Sequence, residues 1–190
     1  MGQYYNLLYK DANGKIKTNC RKIKGTDYIM AKLMEHSFLT LSLTDAVSSL
    51  LKKGKITQLA WVGDYADDDV EIITNGEAKY NDVWGDNVQS TVFKKLSKKY
   101  SYKGKYFVNH TRQEYLSFDE YLKTQKGKWK IYPVSLLTAI GNGRGCGDYY
   151  GRDDEMVGRW AWNKVGITKK KPIGYKQIHV EFFLPYAIED

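Results

Sequence analysis

The pattern of hydrophobic and polar residues near the start of the chain predicts an antiparallel hairpin. The segment from Gln3 to Tyr9 is rich in tyrosine and leucine, which is typical of a strand. Asn13-Gly14 follows shortly afterwards, and this pair favours the positive φ angles of a tight turn. We therefore expect a second strand through Ile16, paired with the first.

An amphipathic helix and another strand are predicted next. From Asp45 to Lys53 the apolar residues share one helical face, Thr44 is a candidate N-cap, and Gly54 can end the helix. The apolar run from Ile56 to Val62 is typical of a central strand. This part of the chain is thus predicted to form hairpin, helix and strand in that order.

A second, lysine-bearing helix is predicted from Asp86 or Asn87 to about Tyr100. At helical spacing, Phe93 and Leu96 share the inner face with other apolar residues, and four lysines occupy the outer face. The four are Lys94, Lys95, Lys98 and Lys99. They would form a stripe of positive charge along one side of the helix.

The remainder of the chain mixes short strands with one short helix. The helix is predicted at Phe118 to Gln125, and the strands at Lys105 to His110, Gln113 to Ser117, Lys128 to Tyr132, Val157 to Lys164 and Tyr175 to Leu184. No repeat or linker divides the 190 residues. We therefore expect an α+β fold: a single compact domain over residues 1–190, with a mostly antiparallel sheet and two or three helices.

Charge is separated along the sequence, and this points to a polyanion as partner. Asp64 to Asp86 holds eight carboxylates against Lys79 alone, whereas Asn87 to Gln113 holds no Asp or Glu. The net charge of +8 excludes a DNA mimic and favours nucleic acid. The candidate contact residues are Lys94, Lys95, Lys98, Lys99, Lys103, Lys105, Arg112 and Arg144.

Aromatic residues between these lysines support a binding surface over a merely solvated face. Tyr100, Tyr102 and Tyr106 lie among the cations, and aromatic rings beside basic groups serve backbone tracking and base stacking. The stretch Lys123 to Lys130 around Trp129 and the run Lys169 to Lys171 carry the same signal more weakly. Both interpretations, binding surface and solvated face, remain open at this stage.

The glycine-rich segment Gly141 to Gly151 is the most unusual local sequence. Five glycines in eleven residues lose much chain entropy unless the backbone shape is needed. One interpretation is a nest of backbone N–H groups around Arg144 that binds a phosphate or carboxylate. The other is a winding surface loop that packs Tyr149 and Tyr150.

The sequence offers little for catalysis, and we expect no catalytic residue, no metal and no cofactor. Cys20 and Cys146 are expected to be reduced thiols without zinc-ligand spacing. A metal-dependent nuclease could be assembled from Asp64, Glu77 and Lys79, but the Asn-Gly turn before Glu77 does not suit rigid ligands.

Several motifs resemble a family of small proteins from phages and mobile elements of Gram-positive bacteria, which includes an anti-CRISPR protein acting on a type II RNA-guided DNA nuclease. The motifs lie at Met1 to Tyr5, Lys32 to Ser37, Trp61 to Asp67, Leu136 to Thr138, Gly141 to Gly151 and Val157 to Ala161. Relatives often carry glycine where Cys146 stands, so the resemblance also implies that this thiol is not essential.

The resemblance implies a non-catalytic inhibitor that binds a guide-RNA-loaded type II nuclease, its double- or single-stranded DNA, or both. An acidic patch would face a basic channel of the nuclease while the lysines track phosphates. The patch comprises Asp64, Asp67, Asp68, Asp69 and Glu71. Such a protein would work in the cytoplasm of the bacterial host, away from membranes. The alternatives are a nucleic-acid-binding phage accessory protein and the metal-dependent nuclease.

Overall fold

The computed structural model describes residues 3–19, 31–66, 93–94, 96–126 and 129–183, and it shows an α+β fold with two four-stranded sheets. The strands are β1 (Tyr5–Asp11), β2 (Ile16–Asn19), β3 (Ile56–Gly63), β4 (Tyr106–Asn109), β5 (Glu114–Ser117), β6 (Ala139–Ile140), β7 (Val165–Thr168) and β8 (Lys176–Gln177). The described α-helices are α1 (Ser42–Lys52), α2 (Phe118–Thr124) and α3 (Pro133–Leu137). Met34–His36 and Asp154–Met156 form single 3₁₀ turns.

The first sheet has the order β2-β1-β3-β6 and begins with the predicted hairpin. Gly14 takes a φ of 77°, and the Asp11 carboxylate accepts hydrogen bonds from the Asn13 (2.8 Å) and Lys15 (3.1 Å) backbone N–H groups. β1 also pairs antiparallel with β3, and β6 then pairs parallel to β3. The hairpin prediction is confirmed, with the Asp11 carboxylate closing the turn.

The second sheet has the order β7-β4-β5-β8 and contains the predicted pair around residues 105–117. β7 pairs antiparallel with β4, placing Thr168 opposite Tyr106 and Val165 opposite Asn109. β8 pairs parallel with β5. Among the described strands, four pairings are antiparallel and two are parallel. The α+β prediction is confirmed, with two mixed sheets in place of one.

One hydrophobic core joins the two sheets across α1. Val47 and Leu51 of α1 are buried with Trp61 of the first sheet and Phe107 of the second. Burial of such side chains contributes on the order of 1.5–3 kcal/mol each. No helix within the described ranges combines the length and the apolar character needed to cross a bilayer.

The start of α1 differs from the prediction. The helix begins at Ser42, and the capping position belongs to Leu41. Thr44 is already inside the first turn, where its hydroxyl donates to the carbonyl oxygens of Leu41 (2.9 Å) and Phe38 (3.2 Å). A buried threonine within a helix commonly satisfies its hydroxyl in this way. The prediction of Thr44 as the N-cap is therefore wrong.

The predicted second helix is wrong over the part of it that the structure describes. Phe93, Lys94 and the stretch from Leu96 to Tyr100 have no helical hydrogen-bond pattern. Lys95 and residues 81–92 lie outside the described residues. Lys98 and Lys99 are therefore not aligned by a helix.

Three predicted strands are also corrected. Residues 157–162 form successive turns, and the strand begins only at Val165. Ile131 makes a single bridge to Phe38 in place of a strand over 128–132, of which Lys128 lies outside the described residues. In the predicted strand from Tyr175 to Leu184, Lys176–Gln177 is the only part within the described residues 175–183 that belongs to a sheet, and Leu184 lies outside the described residues. The apolar residues of these segments pack against the core, but most of their backbone does not pair with a neighbouring strand.

A candidate nucleic-acid interface beside helix α1

The irregular segment from Phe93 to Lys103 follows α1 along its length. Near the end of the helix, Phe93 and Lys94 face Leu50 and Lys53 across a cleft of about 410 Å³. Near its start, the Tyr102 hydroxyl donates to Asp45 Oδ1 at 3.3 Å. The segment is therefore held near both ends of the helix, and its described residues, which leave out Lys95, are not helical.

The attachment at the start of α1 is a buried polar cluster. The Ser48 hydroxyl is hydrogen-bonded to the hydroxyl groups of Tyr102 (3.2 Å) and Tyr132 (2.9 Å). Burial raises the pKa of Asp45, while hydrogen bonds from the Tyr100 backbone N–H and the Tyr102 hydroxyl act in the opposite direction. A satisfied network of this kind holds its members in one geometry. The neighbouring lysines consequently project from a rigid base.

Six lysines come from this segment, from the end of α1 and from the stretch that follows α2, and we call them the lysine surface. They are Lys53, Lys94, Lys98, Lys99, Lys103 and Lys130, and each of them is exposed. No carboxylate of the described residues lies within ion-pair distance of any of the six. Clustered lysines of this kind create a positive field that attracts phosphates.

Three of these lysines stand around a second cleft, which we call the lysine cleft. Lys99, Lys103 and Lys130 line it, its volume is about 560 Å³, and most of its lining surface is apolar. Its apolar walls come from Leu39, Tyr102, Phe118 and Leu122. Tyr102 stacks on Phe118 with their ring centroids 4.6 Å apart. The cleft thus combines a firm apolar floor with a positively charged rim.

One carboxylate lines the lysine cleft, and one exposed aromatic residue directly precedes Lys130 in the sequence. The Asp119 carboxylate lines the cleft, but both of its oxygens accept the Gly104 backbone N–H (3.2 and 3.0 Å). Trp129 precedes Lys130 and is 48% exposed, and its ring lies 5.1 Å from that of Phe38. An exposed indole next to lysines is suited to stacking on a nucleobase.

Lys105 departs from the expectation of a solvent-facing cation. Its side chain is only 7% exposed, and its Nζ lies 4.0 Å from the centroid of the Tyr100 ring. Burial lowers the pKa of Lys105, with smaller contributions from Lys52 and Lys169. Because Thr168 pairs with Tyr106, the β4–β7 register brings Lys169 close to Lys105. The run at 169–171, weak as a sequence signal, therefore begins near the lysines of α1.

Arg112 lies away from the lysine surface. It occupies the turn between β4 and β5, whereas Lys103 precedes the opposite end of β4, roughly 13 Å away for a four-residue strand. Its Nε lies 3.5 Å from Glu114 Oε2. Glu114 is buried and also accepts hydrogen bonds from Arg159 and from the Trp160 indole. Arg112 thus helps to balance a buried carboxylate.

The glycine-rich loop is indeed a nest of backbone donors, and the chain's own Asp148 lies within it. The Arg144 and Gly145 backbone N–H groups each donate to Asp148 Oδ2 at 3.0 Å. Burial raises the pKa of Asp148, against these bonds and one from the Tyr5 hydroxyl. The Arg144 side chain is exposed and donates through Nη1 to the Tyr65 carbonyl oxygen (2.5 Å). Asp148 follows Gly145 by three residues, and an aspartate among glycines is a sequence signal for a turn of this kind.

The glycines are needed because Gln3 is threaded between them. Gln3 is fully buried, and a Cβ added at Gly145 would lie 2.5 Å from its backbone nitrogen. A Cβ at Gly63 or Gly141 would meet its side-chain amide at 1.9 or 2.7 Å. With its amide nitrogen turned toward the loop, Gln3 donates to the Gly141 carbonyl (2.8 Å) and to Asp148 Oδ2 (3.0 Å). The shape of the loop therefore serves internal packing.

The acidic patch is described only at Asp64. Its Oδ1 accepts the Tyr4 backbone N–H at 3.1 Å, and its own N–H donates to the Tyr4 carbonyl, so it extends the β1–β3 pairing. Asp67, Asp68, Asp69 and Glu71 lie outside the described residues, as do Glu77 and Lys79 of the nuclease hypothesis. Within the described residues, no three His, Cys, Asp or Glu side chains are grouped closely enough for a metal ion.

One cysteine and two of the histidines are further described side chains that could carry chemistry. Cys146 is an exposed free thiol of the glycine-rich loop. His36 is buried, its Nδ1 accepts the Trp61 indole N–H at 2.9 Å, and burial lowers its pKa to about 4. His110 Nδ1 lies 3.0 Å from the Tyr175 hydroxyl. A neutral His36 that orients Trp61 fits a core role.

Comparison with known proteins adds no relative to this picture. No protein-family model, curated protein or solved structure matches the chain.

Proposed function

We propose that this protein binds nucleic acid through its phosphate backbone, along the lysine surface, and acts without catalysis. The observation that carries the proposal is the grouping of Lys99, Lys103 and Lys130 around one apolar cleft. Two of them come from the basic block after residue 87 and the third from the weaker basic stretch that follows α2. Two sequence signals for nucleic acid thereby converge on one surface.

The biological setting we propose is inhibition of a guide-RNA-loaded type II nuclease in the cytoplasm of a bacterial host. Its support is the resemblance of the chain's motifs to the phage and mobile-element family that contains an anti-CRISPR protein. A nuclease of this class holds its heteroduplex and displaced strand in positively charged channels. A small basic protein that grips the guide or the target would compete with those channels for phosphates.

The direct test is a binding titration at several salt concentrations. We expect fluorescently labelled DNA and RNA of arbitrary sequence to bind at low ionic strength. Affinity should fall roughly 10-fold or more between about 50 and 200 mM salt, because each phosphate contact releases counterions. Failure to bind at low salt, or affinity indifferent to salt, contradicts the proposal.

Inhibition of the nuclease separates a binding protein from an enzyme. A binder should require amounts comparable to the nuclease, and its effect should survive chelation of trace metals. Loss of guide RNA or target DNA at a small fraction of equivalence, growing with time and requiring Mg²⁺, would instead favour a metal-dependent nuclease. Salt-sensitive binding with no inhibition of any type II effector would favour an accessory nucleic-acid-binding role.

A further inference from the structure

We propose that the lysine cleft and Trp129 form a site for unpaired nucleotides, so that the protein prefers single-stranded nucleic acid to a duplex. This inference rests on the proposed function and adds to it the class of ligand. One base enters the cleft, its neighbour stacks on Trp129, and the connecting phosphates lie against Lys99, Lys103 and Lys130.

The cleft has the size and chemistry of a nucleobase site. Its volume of about 560 Å³ lies within the range of roughly 300–1,000 Å³ seen for small-molecule sites. Leu39 and Tyr102 contribute apolar walls, and the Tyr102–Phe118 stack leaves the floor with little freedom to close. Apolar walls offer nothing to a phosphate, so charge alone does not account for this cleft. A flat ring attached to phosphates fits both the walls and the rim.

Trp129 extends the site by one position. Its indole is about half exposed, although Phe38 packs against the ring at 5.1 Å and holds it in place. The backbone of Lys130 is fixed in turn, because its carbonyl oxygen accepts the Leu39 N–H at 2.9 Å. The indole and the Lys130 side chain thus belong to neighbouring residues of one anchored stretch of backbone. A held aromatic ring loses little conformational entropy when a base stacks on it.

A duplex cannot use these features. Its phosphates can reach the lysine rim, but its bases are paired and stacked inside the helix and cannot enter an apolar cleft unless they are flipped out. A single strand satisfies both the rim and the walls. An acidic peptide satisfies only the rim, which makes a nucleic acid strand the better match.

The test compares four probes of equal charge by fluorescence anisotropy: a single-stranded DNA, the RNA of the same sequence, a DNA duplex of half that length, and polyglutamate. We expect the single strands to bind roughly fivefold to a hundredfold more tightly than the duplex or the peptide, the effect of one or more base–aromatic stacks. Equal affinity for DNA and RNA would place the contact on the bases, whereas a preference would point to the sugar.

Two variants locate the site. Trp129→Ala should lower single-strand affinity roughly fivefold or more and leave duplex affinity unchanged, and Trp129→Phe should restore part of it. Leu122→Trp, which fills part of the cleft without changing charge, should have the same selective effect. Tyr150→Ala is the matched control, because Tyr150 is an exposed aromatic residue that does not line the lysine cleft and should change neither affinity.

The outcomes distinguish this inference from the function it rests on. Salt-sensitive binding with equal affinity for strand and duplex, unaffected by Trp129→Ala, overturns the nucleotide site and leaves phosphate binding standing. Equal binding of polyglutamate also overturns it. Absence of binding to every probe at low salt overturns both. A circular dichroism spectrum like that of the parent protein shows that each variant is folded.

Discussion

The sequence indicates an anion site both at the glycine-rich loop and on the lysine surface, but the two regions differ in the structure. In the loop, the backbone donors of Arg144 and Gly145 are occupied by Asp148, and the buried Gln3 amide completes the enclosure. On the lysine surface, the cations rise from a satisfied polar cluster at Asp45 and face outward. The loop holds its own anion within the nest. On the lysine surface, the nearby carboxylates of Asp45 and Asp119 accept hydrogen bonds from the Tyr102 hydroxyl and the Gly104 backbone N–H, and among the described residues neither forms an ion pair with these lysines.

The difference shows that a donor-rich sequence predicts an anion site only when the chain does not supply the anion itself. Asp148 is close in sequence to the N–H groups it accepts from, so the turn closes locally at little entropic cost. The lysines from Lys94 to Lys103 have no carboxylate nearby in sequence, since residues 87–113 contain no Asp or Glu, and Lys130 lies in a second such stretch from Tyr121 to Gly147. The same reasoning predicts which substitutions act on folding and which act on binding.

The largest expected effect is on stability, from Gly145→Ala. The added Cβ would lie 2.5 Å from the Gln3 backbone nitrogen, so we expect a loss of roughly 3 kcal/mol and a Tm lowered by about 6–12 °C. Gly143→Ala is the control, because its Cβ meets nothing and only its φ of 85° is strained. That variant should lose about 1–2 kcal/mol. Equal thermal denaturation of the two variants would contradict packing of Gln3 as the reason for the loop's shape.

The next effect is on binding, from replacing Lys99 and Lys103 together by Glu. We expect affinity for labelled single strands to fall roughly 10- to 100-fold, and the dependence of log affinity on log salt to become shallower by about 2. The matched control replaces Lys164 and Lys176, which are exposed and line neither of the two clefts beside α1, with the same change in charge. If both pairs weaken binding equally, net charge and not the lysine surface governs the interaction.

A smaller effect is predicted for the pH dependence of stability through Asp148→Asn. The asparagine keeps an oxygen for the Arg144 and Gly145 N–H groups but removes the buried charge. Burial raises the pKa of Asp148, so the folded protein takes up this proton more readily than the unfolded chain. The parent protein should therefore gain stability relative to the variant as pH falls from about 7 toward 4, and lose it again as pH rises.

Urea denaturation of both proteins across this pH range measures the difference. A constant difference would mean that the carboxylate is not held in a desolvated site. Nucleic-acid affinity at neutral pH should be the same for both proteins.

The smallest effect is expected for Arg144→Ala. Its backbone N–H still donates to Asp148, and the exposed side-chain bond to the Tyr65 carbonyl is lost. We expect a stability loss below about 1 kcal/mol and affinity within about twofold of the parent. A tenfold loss of affinity with normal folding would show that the glycine-rich loop takes part in binding and would contradict the difference between the two regions.

Local signals predicted much of the fold. Asn13-Gly14 indicated the first hairpin, and the apolar face at Ala46 and Val47 indicated α1, because both patterns reflect neighbouring residues. The parallel pairings of β6 and β8 could not be predicted, since Trp61 meets Ala139 and Tyr115 meets Gln177 across long stretches of chain. Nothing local to Ala139 identifies its partner.

Other predictions were wrong because they depended on tertiary contacts that the sequence does not show. Residues 157–162 are apolar enough for a strand, but Gly158 has a φ of 80° and lies so close to the Ala139 carbonyl that a Cβ would be 2.7 Å away. The segment is buried as turns around Trp160. At the candidate site, the lysine residues were predictable from charge, but the cleft that joins Lys103 to Lys130 depends on packing of α2 against Tyr102. The exposure of Trp129 likewise follows from tertiary structure.

The parallel pairing of β3 with β6 has a consequence for the order in which the protein folds. Closing so long a loop is slow, so the β1–β2 and β4–β5 hairpins should form early and β6 should dock late, on a millisecond-to-second timescale. The glycine-rich loop directly follows β6, so its contacts with Gln3 belong to the last steps. Substitutions there should accelerate unfolding and leave the refolding rate nearly unchanged.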